Sequence, residues 1–190
     1  MTIVDRTAPT DHEILDVLQS RWSPRAYEPV PVDESLLSKA LEAARWSPSA
    51  YNAQPWRFVV ARRGSDAFDR IVDALAEFNQ QWAPNASVLI LAIAETANEE
   101  GRANPTAVYD LGQAVAHLTI QAHADGLVVH QMSGFDAAAA SEAFSLDERL
   151  APITVVALGT LGDADTLGEM LREREHAPRA RKPLSEILVG

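Results

Sequence analysis

The sequence predicts an α+β fold, a central sheet of about four to five strands flanked by helices that dominate by length. Three observations lead there. The run from Val88 to Ala94 is continuously apolar and strand-sized, as expected of a strand covered on both faces. The segments between strand candidates are long and carry helical periodicity, so the sheet is not a plain meander. The chain has 190 residues and 47% hydrophobic content, which suits one core, so residues 1–190 read as a single domain.

The elements follow in order. Thr10-Asp11-His12-Glu13 has the form of a capping box, with Ile14, Leu15 and Leu18 at helical spacing behind it; this predicts a helix ending near Ser20. Asp33 can cap a second helix that carries Leu36, Leu37, Ala40, Leu41 and Ala44 on one face. Residues 47–55 hold Pro48, Asn52 and Pro55 and read as a loop. A short strand at 57–61, a helix at 65–78 and the central strand at 87–94 come next. Pro105 opens a long helix to about Ala124, and Gly126 ends it. Residues 127–131 read as a strand, Asp136 caps a short helix, and 153–159 form a further strand. The tail from Ala177 is basic and contains proline, and it ends in a short amphipathic piece at 184–188.

Composition excludes several function classes. The formal net charge is -11, unlike the basic surface of a nucleic-acid binder. There is no cysteine, hence no thiolate metal site or thiol nucleophile. No apolar stretch reaches the roughly 18 residues of a membrane span. The N-terminus lacks a signal-peptide core, so a cytoplasmic location is expected. The five histidines show no zinc spacing with carboxylates, and no metal is expected. Yet Arg172, Arg174, Arg179, Arg181 and Lys182 crowd near the C-terminus, and Arg21 with Arg25 near the start. Basic spots in an acidic chain can hold a small anion; ordinary solvated arginines are the alternative.

Three segments carry candidate chemistry. Arg21-Trp22-Ser23-Pro24-Arg25 places two guanidiniums and a hydroxyl just past a helix end, and the planar guanidinium fork suits a phosphate. The segment from Ser47 to Trp56 crowds small and amide residues into a loop before a strand, which can approach a flat heteroaromatic ring; a plain Asn- and Pro-rich turn is the alternative. Gln131-Met132-Ser133-Gly134-Phe135-Asp136 lies at a strand end, with Gly134 permitting close approach; a plain strand-to-helix turn with an Asp N-cap is the alternative.

In this order the segments resemble the FMN-dependent nitroreductase family. Arg21, Ser23, Arg25 and Tyr27 match its opening Arg-x-Ser-x-Arg-x-aromatic stretch. Residues 47–56 match Ser-Pro-Ser-x-x-Asn-x-Gln-Pro-Trp, Asn79 an asparagine before the central strand, Gly134-Phe135-Asp136 its later turn, and Arg179, Arg181, Lys182 and Pro183 its basic tail. The match runs over nearly the whole chain. It implies a mostly antiparallel or mixed sheet in an intertwined homodimer, with two FMN sites at the interface. By resemblance, Arg21, Trp22, Ser23 and Arg25 hold the ribityl chain, phosphate and pyrimidine edge. Arg179 and Arg181 complete the phosphate site, with Lys182 as helper. Pro48, Ser49, Ala50 and Asn52 come from the second subunit and line the dimethylbenzene and ring region, and Gln54 is a further cofactor-binding candidate. Asn79 meets the isoalloxazine edge. Gln131, Met132, Ser133 and Gly134 belong to the cofactor site, with the backbone N–H near Ser133 and Gly134 aimed at flavin N5.

The implied reaction is ping-pong hydride transfer from NAD(P)H through flavin N5 to a nitroaromatic, quinone, enone or flavin acceptor, with the flavin as the reactive group and no dedicated catalytic side chain. Other flavin reactions in the family (dehalogenation, azoline or aldehyde oxidoreduction) and a non-catalytic FMN carrier or sensor are the alternatives. Two stretches depart from the family pattern. Gln80-Gln81-Trp82 stands where relatives often carry a lysine, and Gln131-Met132-Ser133 where many carry a proline and an acidic residue. The short chain predicts a reduced lid over the flavin.

Overall fold

The computed structural model describes residues 6–189. Four strands, β1 (Trp56–Arg62), β2 (Val88–Glu95), β3 (Val128–Met132) and β4 (Leu150–Gly159), form one sheet in the order β1-β2-β4-β3 with every pairing antiparallel. Among the described residues eight α-helices surround it: α1 (Asp16–Ser20), α2 (Glu34–Arg45), α3 (Asp66–Ala74), α4 (Glu77–Gln80), α5 (Ala107–Ala124), α6 (Ala137–Ala143), α7 (Glu169–His176) and α8 (Leu184–Ile187). None is long and apolar enough to cross a membrane.

The period-two alternation of β2 splits the core into two layers. Leu89, Leu91 and Ile93 face α3, α6 and α7 through Phe68, Ile71, Ala140 and Leu171. Val88, Ile90, Ala92 and Ala94 face α2 and α5 through Leu37, Ala40, Leu111, Val115 and Leu118. Both faces of the sheet are therefore covered, which explains the continuous apolar run. Pro152 sits near the start of β4, at a register irregularity with β2. β3 pairs only with Val155–Gly159 of β4, so Pro152 lies where one side of β4 has no ladder to lose.

The caps expected at Asp33 and Asp136 form: Asp33 accepts from Ser35 N at 2.7 Å, and Asp136 from Ala138 N at 2.9 Å. Gly126, with φ of 84°, follows the end of α5.

Three expectations are corrected. The first helix starts at Asp16, and its N-cap, Leu15, makes no side-chain cap bond. Instead residues 6–8 dock back on the end of α1, with Ala8 N donating to Gln19 O at 3.0 Å. Gln19 Nε2 reaches Thr10 Oγ1 at 3.5 Å, so Thr10 serves that return rather than a cap. The helix expected at 65–78 is two helices. Asp136 N donates to Ala74 O at 2.8 Å and Ala76 N donates to Gly134 O at 2.9 Å; these tertiary bonds take the backbone groups a continuous helix would use. Finally, α7 was not expected. Its sequence is almost wholly charged, and only Leu171 and Glu175 are buried, too few to raise a helical hydrophobic period.

Candidate functional site

Where α1 ends, Arg21 turns extended and the chain runs back past the sheet. A single bridge, Tyr27 to Leu161, extends the β4 direction by one residue pair. Glu28 N donates to Thr160 O and Gly162 N to Ala26 O, each at 3.0 Å. Tyr27 is buried and its hydroxyl donates to Ala157 O at 3.2 Å. This anchor fixes the Arg21–Arg25 turn at one end of the molecule, where α7 delivers the C-terminal tail.

Between turn and tail lies a cavity of about 180 Å3. Among the described residues six guanidiniums line it, from Arg6, Arg21, Arg25, Arg174, Arg179 and Arg181, against one carboxylate, Glu175, with Trp22 and Ser23 beside them. Glu175 is almost fully buried and accepts from Arg25 N at 3.1 Å and from Arg25 Nη1 at 3.2 Å. Burial pushes its pKa up, against the opposing pull of the two Arg25 bonds. The remaining cations are poorly neutralised. Burial lowers the pKa of Arg21, and Arg181 adds to the effect. Arg179 is lowered by burial first, then by Arg21, Arg181 and Arg6. The Nε atoms of Arg6, Arg21 and Arg25 are buried without partners. Buried cations that repel each other and keep free donors are the donor set of an anion site, because an anion supplies the missing acceptors and charge together.

The turn is braced from behind. His130 Nδ1 donates to Pro24 O at 3.0 Å, and its ring packs 4.5 Å from that of fully buried Trp82. Burial lowers the His130 pKa to about 4, so the ring is neutral near pH 7. Trp82 in turn stacks on Tyr27 at 6.3 Å. The Arg25 guanidinium lies 5.9 Å from the Phe78 and Trp82 rings.

Arg21 and Ser23 also line a second, larger groove of about 370 Å3. Leu18 of α1, Ala116 and Ile120 of α5 and Val129 of β3 give it apolar walls, and Thr119 and Gln131 add polar groups. Gln131 Nε2 donates to Thr119 Oγ1 at 3.0 Å, and Thr119 Oγ1 to Val115 O at 2.8 Å, which orients the amide. An apolar slot that shares a wall with a cationic pocket suits a flat ring that carries a phosphate on a tether. FMN has that shape, and the unpartnered Nε atoms fit its phosphate.

Of the residues singled out from sequence, the structure brings together Arg21, Trp22, Ser23, Arg25, Arg179 and Arg181 at the cationic pocket, and Gln131 at the groove. Others stand apart. Met132 is buried on the opposite face of β3, in the core. Asn79 is buried with its Nδ2 donating to Gly134 O at 2.9 Å; a Cβ on Gly134 would come within 2.7 Å of that atom, so here the glycine admits the asparagine. Ser133 is exposed at the end of β3. Lys182 lies outside the pocket, 3.9 Å from Glu186. Pro48, Ser49, Ala50, Asn52 and Gln54 line neither cavity of their own chain. Their loop is held by Ala50 N donating to buried Asp110 at 3.2 Å and by Gln54 N donating to Ser49 Oγ at 3.0 Å. Within it Tyr51, Asn52 and Gln54 have φ of 54°, 55° and 49°.

Arg6, Glu175, Leu18, Ala116, Thr119, Ile120 and Val129 line the cavities without having been singled out. For Arg174 the clustering of basic residues was a signal. For the apolar wall there was none, since its members also satisfy core periodicity.

Residues 18–81 match the Nitroreductase family. A solved structure of an oxidoreductase containing FMN is 35% identical, covers 100% of this chain and 96% of that one, and superposes with a TM-score of 0.91. An FMN complex of an inferred nitroreductase from Desulfovibrio desulfuricans is 26% identical, covers 95% and 98% of the two chains, and has a TM-score of 0.76. The Bacillus subtilis protein YdgI, an inferred NAD(P)H nitroreductase, is 25% identical over 190 residues, with 80% of this chain and 90% of that protein covered.

Proposed function

This chain belongs to the nitroreductase family, and from that premise we propose that it is an FMN-dependent oxidoreductase in which NAD(P)H and a small aromatic or conjugated acceptor take turns in one open groove. The observation that carries the reading is that two cavities share Arg21 and Ser23 in their walls: a cationic pocket with unpartnered buried Nε atoms, and an apolar groove. Relatives described as containing or binding FMN support it.

The chemistry that bound FMN supplies is two-electron acceptance and donation as hydride, so the chain needs no nucleophile of its own. Its residues bind and orient. Arg21, Arg179 and Arg181 would hold the phosphate dianion, and Ser23 would serve the tether between phosphate and ring. Arg25 is committed to Glu175, which fixes it as the pocket wall. Leu18, Ala116, Ile120 and Val129 would exclude water from a ring held in the groove they line. Gln131, oriented by Thr119, would offer an amide to a ring in the groove.

The 48–54 loop is assigned to a second copy of the chain. Three non-glycine residues in the left-handed region cost roughly 1–3 kcal/mol each, and Tyr51 among them is fully exposed in the single chain. Trp46 and Tyr109 nearby are also exposed, by 72% and 71%. A homodimer would cover these aromatics and bring the loop to the partner's groove.

The test is the visible spectrum of the purified protein before and after anaerobic addition of NADPH or NADH. Flavin bands that bleach are expected. Bands that persist would indicate a carrier or a different reductant. No bands, even after added FMN, would overturn the reading.

A further inference from the structure

Arg6 and the tail around Ala177 and Arg179 meet at the cationic pocket. Arg179, from the tail, donates its Nη1 to the carbonyl of Arg6 and to that of Gln19, the latter at 2.9 Å. Arg6 donates in the opposite sense, from its Nη1 to the Ala177 carbonyl. Its guanidinium lies 4.8 Å from the Trp22 ring centroid, within cation–π range. Ala8 N donates to Gln19 O at 3.0 Å and Gln19 Nε2 to Ala8 O at 3.1 Å. Residues 6–8 have no helix or strand of their own, so these bonds hold the arm down.

The arm thereby adds a guanidinium to a pocket already rich in them. Arg6 lines the same cavity as Arg21, Arg179 and Arg181, and its Nε is buried without a partner. Docking a cation against three others is unfavourable unless an anion joins them. Among the described residues that line the cavity Glu175 is the one carboxylate, and Arg25 holds it.

Building on the assignment of this cavity to the flavin phosphate, we propose that Arg6 is a phosphomonoester-binding residue, and that the arm at residues 6–8 is a clasp whose docking is coupled to occupancy of the site. The resemblance that points to Arg21, Arg179 and Arg181 assigns nothing to Arg6. The clasp would leave the ring untouched and act on the phosphate alone.

That separation makes the test. Full-length wild type, R6A and R6K, freed of flavin, are titrated with FMN and separately with riboflavin, which carries the same ring without phosphate, and flavin fluorescence is followed. R6A should weaken FMN about ten-fold or more and leave riboflavin unchanged. R6K should recover part of the loss, because it keeps the charge without the fork. In wild type, FMN but not riboflavin should slow tryptic cleavage after Arg6. Equal FMN affinity in wild type and R6A would overturn the proposal with the cofactor reading intact. Equal losses for both flavins would also overturn it, since the arm would then support the fold. If wild type bound neither flavin, the cofactor reading would fall, and melting in inorganic phosphate would decide the rest. Stabilisation of wild type but not of R6A would uphold Arg6 as an anion ligand; equal stabilisation, or none in either, would remove it.

Discussion

Arg21 owes its place to geometry rather than to a partner: it is half-buried at a helix end, its Nε is unsatisfied, and Arg181 repels it. Arg21→Ala should therefore strip FMN while leaving the fold intact, because a charge-assisted phosphate contact contributes roughly 1.5–3 kcal/mol. Flavin retained at wild-type level through gel filtration would refute the phosphate assignment. His130 sets a pH dependence. Its folded pKa of about 4 lies below the ~6.5 of a free imidazole. Between those values the unfolded chain binds a proton that the folded chain does not. The His130 contribution is therefore fully present above about pH 6.5 and lost as pH falls towards 4, by up to about 3 kcal/mol. Glu175, its pKa raised by burial, works in the opposite direction. Melting curves between pH 7 and 4 should be flatter for His130→Asn than for wild type; identical slopes would show that His130 does not titrate there. Of these groups, Arg21, Ser23, Arg25, Arg179 and Arg181 were legible in the sequence through their spacing and resemblance. Glu175 and Arg6 were not, since an isolated charged residue in a polar stretch has no local signature until the chain closes around it.

At the scale of elements, the bridge between Tyr27 and Leu161 does for the phosphate turn what a strand would do. It requires Gly162. A Cβ there would lie 2.6 Å from the Tyr27 carbonyl carbon and 2.9 Å from its nitrogen, and backbone atoms cannot rotate away. Gly162→Ala should destabilise the fold by about 1–3 kcal/mol and loosen FMN with it, read by urea denaturation and flavin titration; an unchanged midpoint would mean that the anchor is not tight. The strands and the caps at Asp33 and Asp136 were readable because local pattern and tertiary role agree. The break between α3 and α4 was not. Residues 65–78 are a sound helical pattern, interrupted by bonds to Gly134 and Asp136, more than fifty residues away in sequence. That break also brings Asn79 beside Gly134.

At the scale of the molecule, the single chain leaves Trp46, Tyr51 and Tyr109 exposed and holds a strained loop away from its own groove. Sedimentation at micromolar concentration should show a dimer, and FMN should load in proportion to it. A stable, FMN-loaded monomer would contradict the shared site. The sequence by itself determined the α+β class, the two-sided burial of the central strand, the family, and the arginines that could face a phosphate. These rest on periodicity, caps and motif spacing, which are local. Tertiary structure alone decided which cations share one cavity, which of them a buried carboxylate holds, and that Arg6 and Arg179 close on the same pocket. Those outcomes depend on contacts between residues as far apart as Arg6 and Arg179, and no local preference encodes a distance across the fold.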